Sequence, residues 1–132
     1  APGSGEMIKV LSAAGYRVNY YKDRPDFLTN EPLGSVSVTN PPYSKKVPFL
    51  TRANELKMPY AFLLPITTLG SSKCRKQMFY PQIIFLKKRV DFTGKGRPWF
   101  PVAWFTEGLN INLGGDYEDA DYRQLIFPEE KL

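Results

Sequence analysis

Ser35-Val36-Ser37-Val38-Thr39 runs directly into Asn40-Pro41-Pro42-Tyr43. The alternation of polar and apolar residues reads as a short strand, taken here as a buried one. Two consecutive prolines have no N–H for a sheet ladder, so the strand stops there. The double proline also fixes the backbone and leaves its carbonyls without competing local donors. Asn40 then offers an amide oxygen and Tyr43 a flat ring just past a strand end, where ligands gather in open α/β sheets. The plainer reading is a rigid polar turn between a strand and a helix.

Downstream, Ser44 can cap a helix through about Leu56, with Pro48 harmless in its first turn. Val47, Leu50, Ala53 and Leu56 give that helix a buried face. Pro59 breaks the chain before Tyr60-Ala61-Phe62-Leu63-Leu64, an apolar run typical of strands covered on both faces. A short helix is expected over 71–79, with Cys74 and Met78 stacked at i, i+4. Strands are expected over 83–86, 89–92 and 103–105, the last extending toward Ile111, with Gly94-Lys95-Gly96 as a turn.

Upstream, Met7, Val10, Leu11 and Ala14 form a helical apolar stripe closed by Gly15. Tyr16-Arg17-Val18-Asn19-Tyr20-Tyr21 is rich in strand formers and ends at a Lys-Asp-Arg-Pro break. The order helix–strand–strand–helix–strand–helix–strands predicts an α/β sheet, parallel in its centre, with an antiparallel hairpin at the end. Gly114-Gly115 separates a domain over 1–113 from an acidic tail over 114–132, with one late element at 125–127.

Composition bounds the chemistry. A chain of 132 residues with 42% apolar and 14% aromatic content makes one globular domain. No apolar run approaches a membrane span, so no membrane partner is expected. There is no histidine and one cysteine, Cys74. Ser-His-Asp and Cys-His nucleophile systems are thereby excluded, and no metal site is expected. The lone cysteine fits a reducing, cytoplasmic setting. Residues 1–115 hold 16 Lys/Arg against 7 Asp/Glu, whereas residues 116–132 hold 2 against 6. A basic body suits a polyanion such as DNA, or is simply solubility charge.

Three segments in order carry a resemblance. Pro2-Gly3-Ser4-Gly5 precedes a helix, Asp26-Phe27-Leu28 follows some twenty residues later, and a strand then enters Asn40-Pro41-Pro42-Tyr43. Alone, the glycines could be a flexible leader and Asp26 a turn residue. Together with Gly15-Tyr16-Arg17-Val18 they resemble the DNA adenine-N6 methyltransferases that use S-adenosylmethionine, in particular compact, often phage-encoded members. Segments 59–69, 89–92 and 103–105 resemble later strands of that family, so the likeness spans about residues 2–112.

The resemblance implies a Rossmann-like, mostly parallel sheet with an antiparallel C-terminal hairpin. It also implies roles. The Asn40 side-chain oxygen and the Pro41 carbonyl would accept the two N–H bonds of the adenine amine, and Pro42 would hold the turn. Tyr43 would stack on the flipped base. Gly3 and Gly5 would approach the amino-acid portion of S-adenosylmethionine. Asp26 would accept from its adenine amine, with Phe27 against the ring. The acid expected at the ribose is displaced: Lys22 stands there, with Asp23 one position later. Lys87, Lys88, Arg89, Lys95 and Arg97, around the glycine turn, would contact DNA phosphates, or would protect an edge hairpin. Cytosine-C5 methylation instead uses a Pro-Cys nucleophile, whereas Cys74 lies between Lys73 and Arg75.

The chain departs from the family at its start, where the first, central strand is missing. The expectations that follow are a truncated or degenerate enzyme, or a sheet completed by a second copy or another chain. Two alternatives stay open. One is a catalytically silent nucleic-acid-binding or assembly subunit. The other is a methyltransferase acting on RNA or on a protein amide or amine.

Overall fold

The computed structural model describes residues 6–18, 27–29, 34–86, 101–111 and 120–123. Strand β1 (Ser37–Thr39) stops one residue before Asn40, as the prolines require. A 3-10 turn (Tyr43–Lys45) leads into helix α2 (Lys46–Glu55), preceded in the chain by α1 (Glu6–Ala13). Strand β2 (Tyr60–Pro65) follows, then a 3-10 turn (Ile66–Gly70) and the single-turn helix α3 (Ser72–Arg75). Strands β3 (Gln82–Leu86), β4 (Val102–Glu107) and β5 (Ala120–Arg123) complete one sheet in the order β1-β2-β4-β3-β5. Strand β5 falls in the stretch expected to be an acidic tail.

Among the described residues only β1 and β2 pair in parallel; the β2–β4, β4–β3 and β3–β5 pairs are antiparallel. The expected mostly parallel, Rossmann-like sheet is therefore corrected to a mixed sheet with few helices. The physical reason is the position of β4. It lies between β2 and β3 and runs against both, so two strands that could have paired in parallel are separated. Nor is β1 buried: all three of its residues are half-exposed, and it is an outer strand among the described residues.

The core forms where α2 meets the sheet. Phe49, Leu50 and Ala53 of α2 face Tyr60, Phe62 and Leu64, which recur every second residue on one face of β2. Ile83, Ala103, Phe105, Cys74 and Met78 join the same cluster. The rings of Tyr60 and Phe62 stack at 4.6 Å, and Phe49 meets Phe62 edge-on at 5.8 Å. All six residues of β2 are buried, so it is covered on both faces as its apolar run predicts. Phe105 is fully buried in the core, whereas Trp104 is half-exposed.

Local signals explain the helix ends. Gly15, with φ 93°, closes α1, and the amides of Gly15 and Tyr16 donate to the Ser12 and Leu11 carbonyls at 3.0 and 3.1 Å. The apolar stripe of α1 is not a buried face throughout: Val10 is 66% exposed. Tyr16 to Val18 form no strand; Asn19, Tyr20 and Tyr21 lie outside the described residues. Ser44 does not cap α2, because it sits inside the 3-10 turn and Lys45 takes the cap position without a side-chain bond. Ser71 does cap α3, its hydroxyl accepting from the Cys74 amide at 3.3 Å. The helix there is shorter than the expected 71–79, though Cys74 and Met78 are both buried.

Candidate functional site at the carboxyl end of β1

Asn40 extends from β1 at the end of the sheet where the parallel strands β1 and β2 both finish. Its side-chain oxygen, Oδ1, is buried and has no hydrogen-bond partner among the described residues. Buried polar atoms are almost always paired, and an unpaired one costs about 1–3 kcal/mol. Such an atom is an acceptor with capacity for a further donor.

The flanking residues hold it in place. Pro41 is buried and Pro42 exposed, and both lack an N–H that could compete for the Asn40 oxygen. The expectation that both proline carbonyls stay free of local donors is half corrected. The Pro42 carbonyl accepts from the Lys45 amide at 2.8 Å, and this bond closes the 3-10 turn. Tyr43 begins that turn, half-buried against the core. Burial raises its phenol above the ordinary value.

A second oxygen without a partner lies on the neighbouring strand's exit. Thr68, in the 3-10 turn after β2, is fully buried, and its Oγ1 has no hydrogen-bond partner among the described residues. Because β1 and β2 are parallel, both chain exits leave the same end of the sheet. Sequence reading marked this loop as family-like but did not single out Thr68. A threonine in a polar loop carries no signal of burial until the turn is seen.

Phe27 is placed differently from its expected role beside a cofactor ring. It is 8% exposed, stacks on Phe49 at 5.3 Å and meets Phe62 edge-on at 6.1 Å. Its ring is part of the core and is not a wall for a cofactor's adenine. Gly3, Gly5, Asp23 and Asp26 lie outside the described residues, as do Lys87, Lys88, Arg89, Lys95 and Arg97. The expected turn at 94–96, the strand over 89–92 and the late element at 125–127 lie there too.

At the other end of the sheet is a cluster that sequence reading missed altogether. The Tyr60 hydroxyl donates to Glu107 Oε2 at 2.9 Å across β2 and β4. Glu107 Oε1 accepts the backbone amides of Phe79 and Tyr80, each at 2.8 Å. Burial, then the charge of Glu107, push the Tyr60 phenol far above its ordinary range. Glu107 sits outside every motif, and only the pairing of Tyr60 with Glu107 in the sheet reveals it.

Among the described residues no helix is long and apolar enough to cross a membrane. Compared with known proteins, the chain matches no family model, no curated protein and no solved structure.

Proposed function

We propose that this chain binds the exocyclic amine of adenine in DNA at Asn40 and acts in methyl transfer to that nitrogen. The observation that carries the reading is the buried, unpartnered Oδ1 of Asn40 at a strand end, followed by two prolines and an aromatic ring. A carbonyl-type acceptor accepts from an N–H, and the exocyclic amine of a base donates two.

In this reading Asn40 Oδ1 accepts one N–H of a flipped adenine, and the Pro41 carbonyl accepts the other. Hydrogen bonds from both N–H groups pull the nitrogen toward tetrahedral geometry and localise the lone pair that the ring otherwise delocalises, which makes it available as a nucleophile. The neutral Tyr43 ring packs on the base face. The methyl donor implied by the resemblance is S-adenosylmethionine. Phe27, the expected cofactor residue within the described part, is committed to the core and does not fit that role. No step is therefore assigned to the donor.

That same packing of Phe27 favours a second reading, a chain that holds an unpaired adenine without transferring a methyl group. One experiment addresses both. Binding of a DNA oligonucleotide with a mismatched adenine is compared with the same strand carrying unsubstituted purine, which lacks the amine. Transfer of labelled methyl from S-adenosylmethionine is measured in parallel. The amine is expected to strengthen binding about tenfold, and Asn40→Ala to remove the difference. Equal binding of both strands by the unaltered protein overturns the amine site. Selective binding with no transfer leaves the binding-only reading.

A further inference from the structure

Phe79 and Tyr80 are 57% and 62% exposed, two neighbouring rings that the core does not use. They are not on a loose loop. Both backbone amides are held by one carboxylate oxygen of Glu107, and Met78, the residue before them, is buried. The turn is thus fixed while its rings stand in solvent. Exposed aromatic residues lower solubility, so a fixed pair of them marks a surface that meets something.

The surrounding charge indicates what it meets. Lys57, Lys73 and Lys76 are all exposed. The Asn54 side-chain amide donates to the Gln77 carbonyl at 2.6 Å, tying the end of α2 to the turn after α3. Lys57 lines the same cleft as Phe79, and Lys76 precedes that ring by three residues. The nearby carboxylate of Glu107 is fully engaged by three donors. A cleft of about 280 Å³ opens beside Phe79, lined by Ala53, Lys57, Met58, Pro59 and Gly108. That is near the lower limit of ligand pockets, roughly 300–1,000 Å³, and suits one flat ring better than a cofactor.

We propose that this surface binds single-stranded nucleic acid, with unpaired bases stacked on Phe79 and Tyr80 and phosphates on Lys57, Lys73 and Lys76. Rings in solvent stack only on bases that are not paired, whereas the lysines attract any strand. The surface lies at the amino end of β2, opposite the end that carries Asn40, and does not depend on the function proposed there.

The test is a fluorescence-anisotropy titration of a labelled twelve-nucleotide thymine strand, which lacks the adenine amine, against a duplex of equal length. Phe79→Ala and Tyr80→Ala are each expected to weaken binding of the single strand about tenfold and to leave the duplex nearly unchanged. Lys57→Gln with Lys76→Gln should weaken both and flatten their salt dependence. Because the thymine strand offers no adenine amine, its binding reads this surface alone, which separates a failure here from a failure at the Asn40 site. Unchanged single-strand binding in the folded Phe79→Ala/Tyr80→Ala double variant overturns the proposal. So does a self-associating protein that binds no strand and becomes monomeric in that variant, since the rings would then be a protein interface.

Discussion

Tyr60 and Glu107 sit directly opposite each other at one end of the β2–β4 pair, and the tyrosine hydroxyl donates to the glutamate carboxylate at 2.9 Å. Ionising Tyr60 would place a second negative charge beside Glu107 in a buried position, which explains its raised pKa. The folded-state pKa lies above the unfolded value of 10.0, so the neutral phenol's contribution is complete below that pH. Above it the unfolded chain releases a proton that the folded chain keeps, and stability falls. Denaturant titrations should show a loss of stability beginning near pH 10 that is shallower in Tyr60→Phe. At neutral pH the same substitution should cost about 1 kcal/mol for the lost hydrogen bond.

Gly108 lies just beyond that pair with φ 79°, and a Cβ there would approach the Pro59 side chain to 3.2 Å. Both the backbone conformation and the contact oppose a side chain. Gly108→Ala should destabilise by roughly 1–3 kcal/mol, read from the denaturation midpoint.

Lys57 presents the opposite case. It holds φ 51° at the end of α2, where its own amide and that of Met58 donate to the Asn54 and Ala53 carbonyls. This is the helix-ending position that glycine favours. Lys57→Gly should stabilise by about 1 kcal/mol, a rise in melting temperature that calorimetry would resolve.

Asn40→Ala removes a buried oxygen that has no partner, so little native bonding is lost with it. The variant should be as stable as the unaltered protein or slightly more so, within about 1 kcal/mol. A substantial fall in melting temperature would identify Asn40 as a structural turn residue.

Cys74 is fully buried, in the core cluster beside α2. Its thiol should resist a thiol-specific reagent in the native protein and react fully in denaturant. Rapid native labelling would mean that α3 opens locally.

Much of the local structure was legible in the residues. The run from Tyr60 to Leu64 announced a strand covered on both faces, and the double proline marked where β1 ends. Gly15 showed where α1 stops. Strand direction and neighbours were not legible. Nothing in Tyr60 to Leu64 says whether the adjacent strand runs with or against it, because an apolar side chain is buried equally well either way. The insertion of β4 between β2 and β3 follows from pairings between distant segments, such as Leu63 with Trp104. At the site, the type and order of residues made Asn40 conspicuous. That its oxygen lacks a partner depends on where every neighbouring donor falls, and the sequence does not encode this locally. Phe27 illustrates the limit: next to Asp26 it resembled a cofactor residue, yet Phe49 and Phe62 offer its ring a better-packed place.

The sheet order also bears on how the chain reaches its fold. Strand β2 is buried along its whole length, yet its antiparallel partner lies far along the chain, with Glu107 standing 47 positions after Tyr60. During synthesis β2 leaves the ribosome before β4 emerges to cover that edge. For that interval a six-residue apolar strand presents unpaired backbone groups, a template for pairing with another nascent chain. Slow translation before β4 has emerged should therefore lower the soluble yield, whereas a pause after β4 has cleared the ribosome should have little effect.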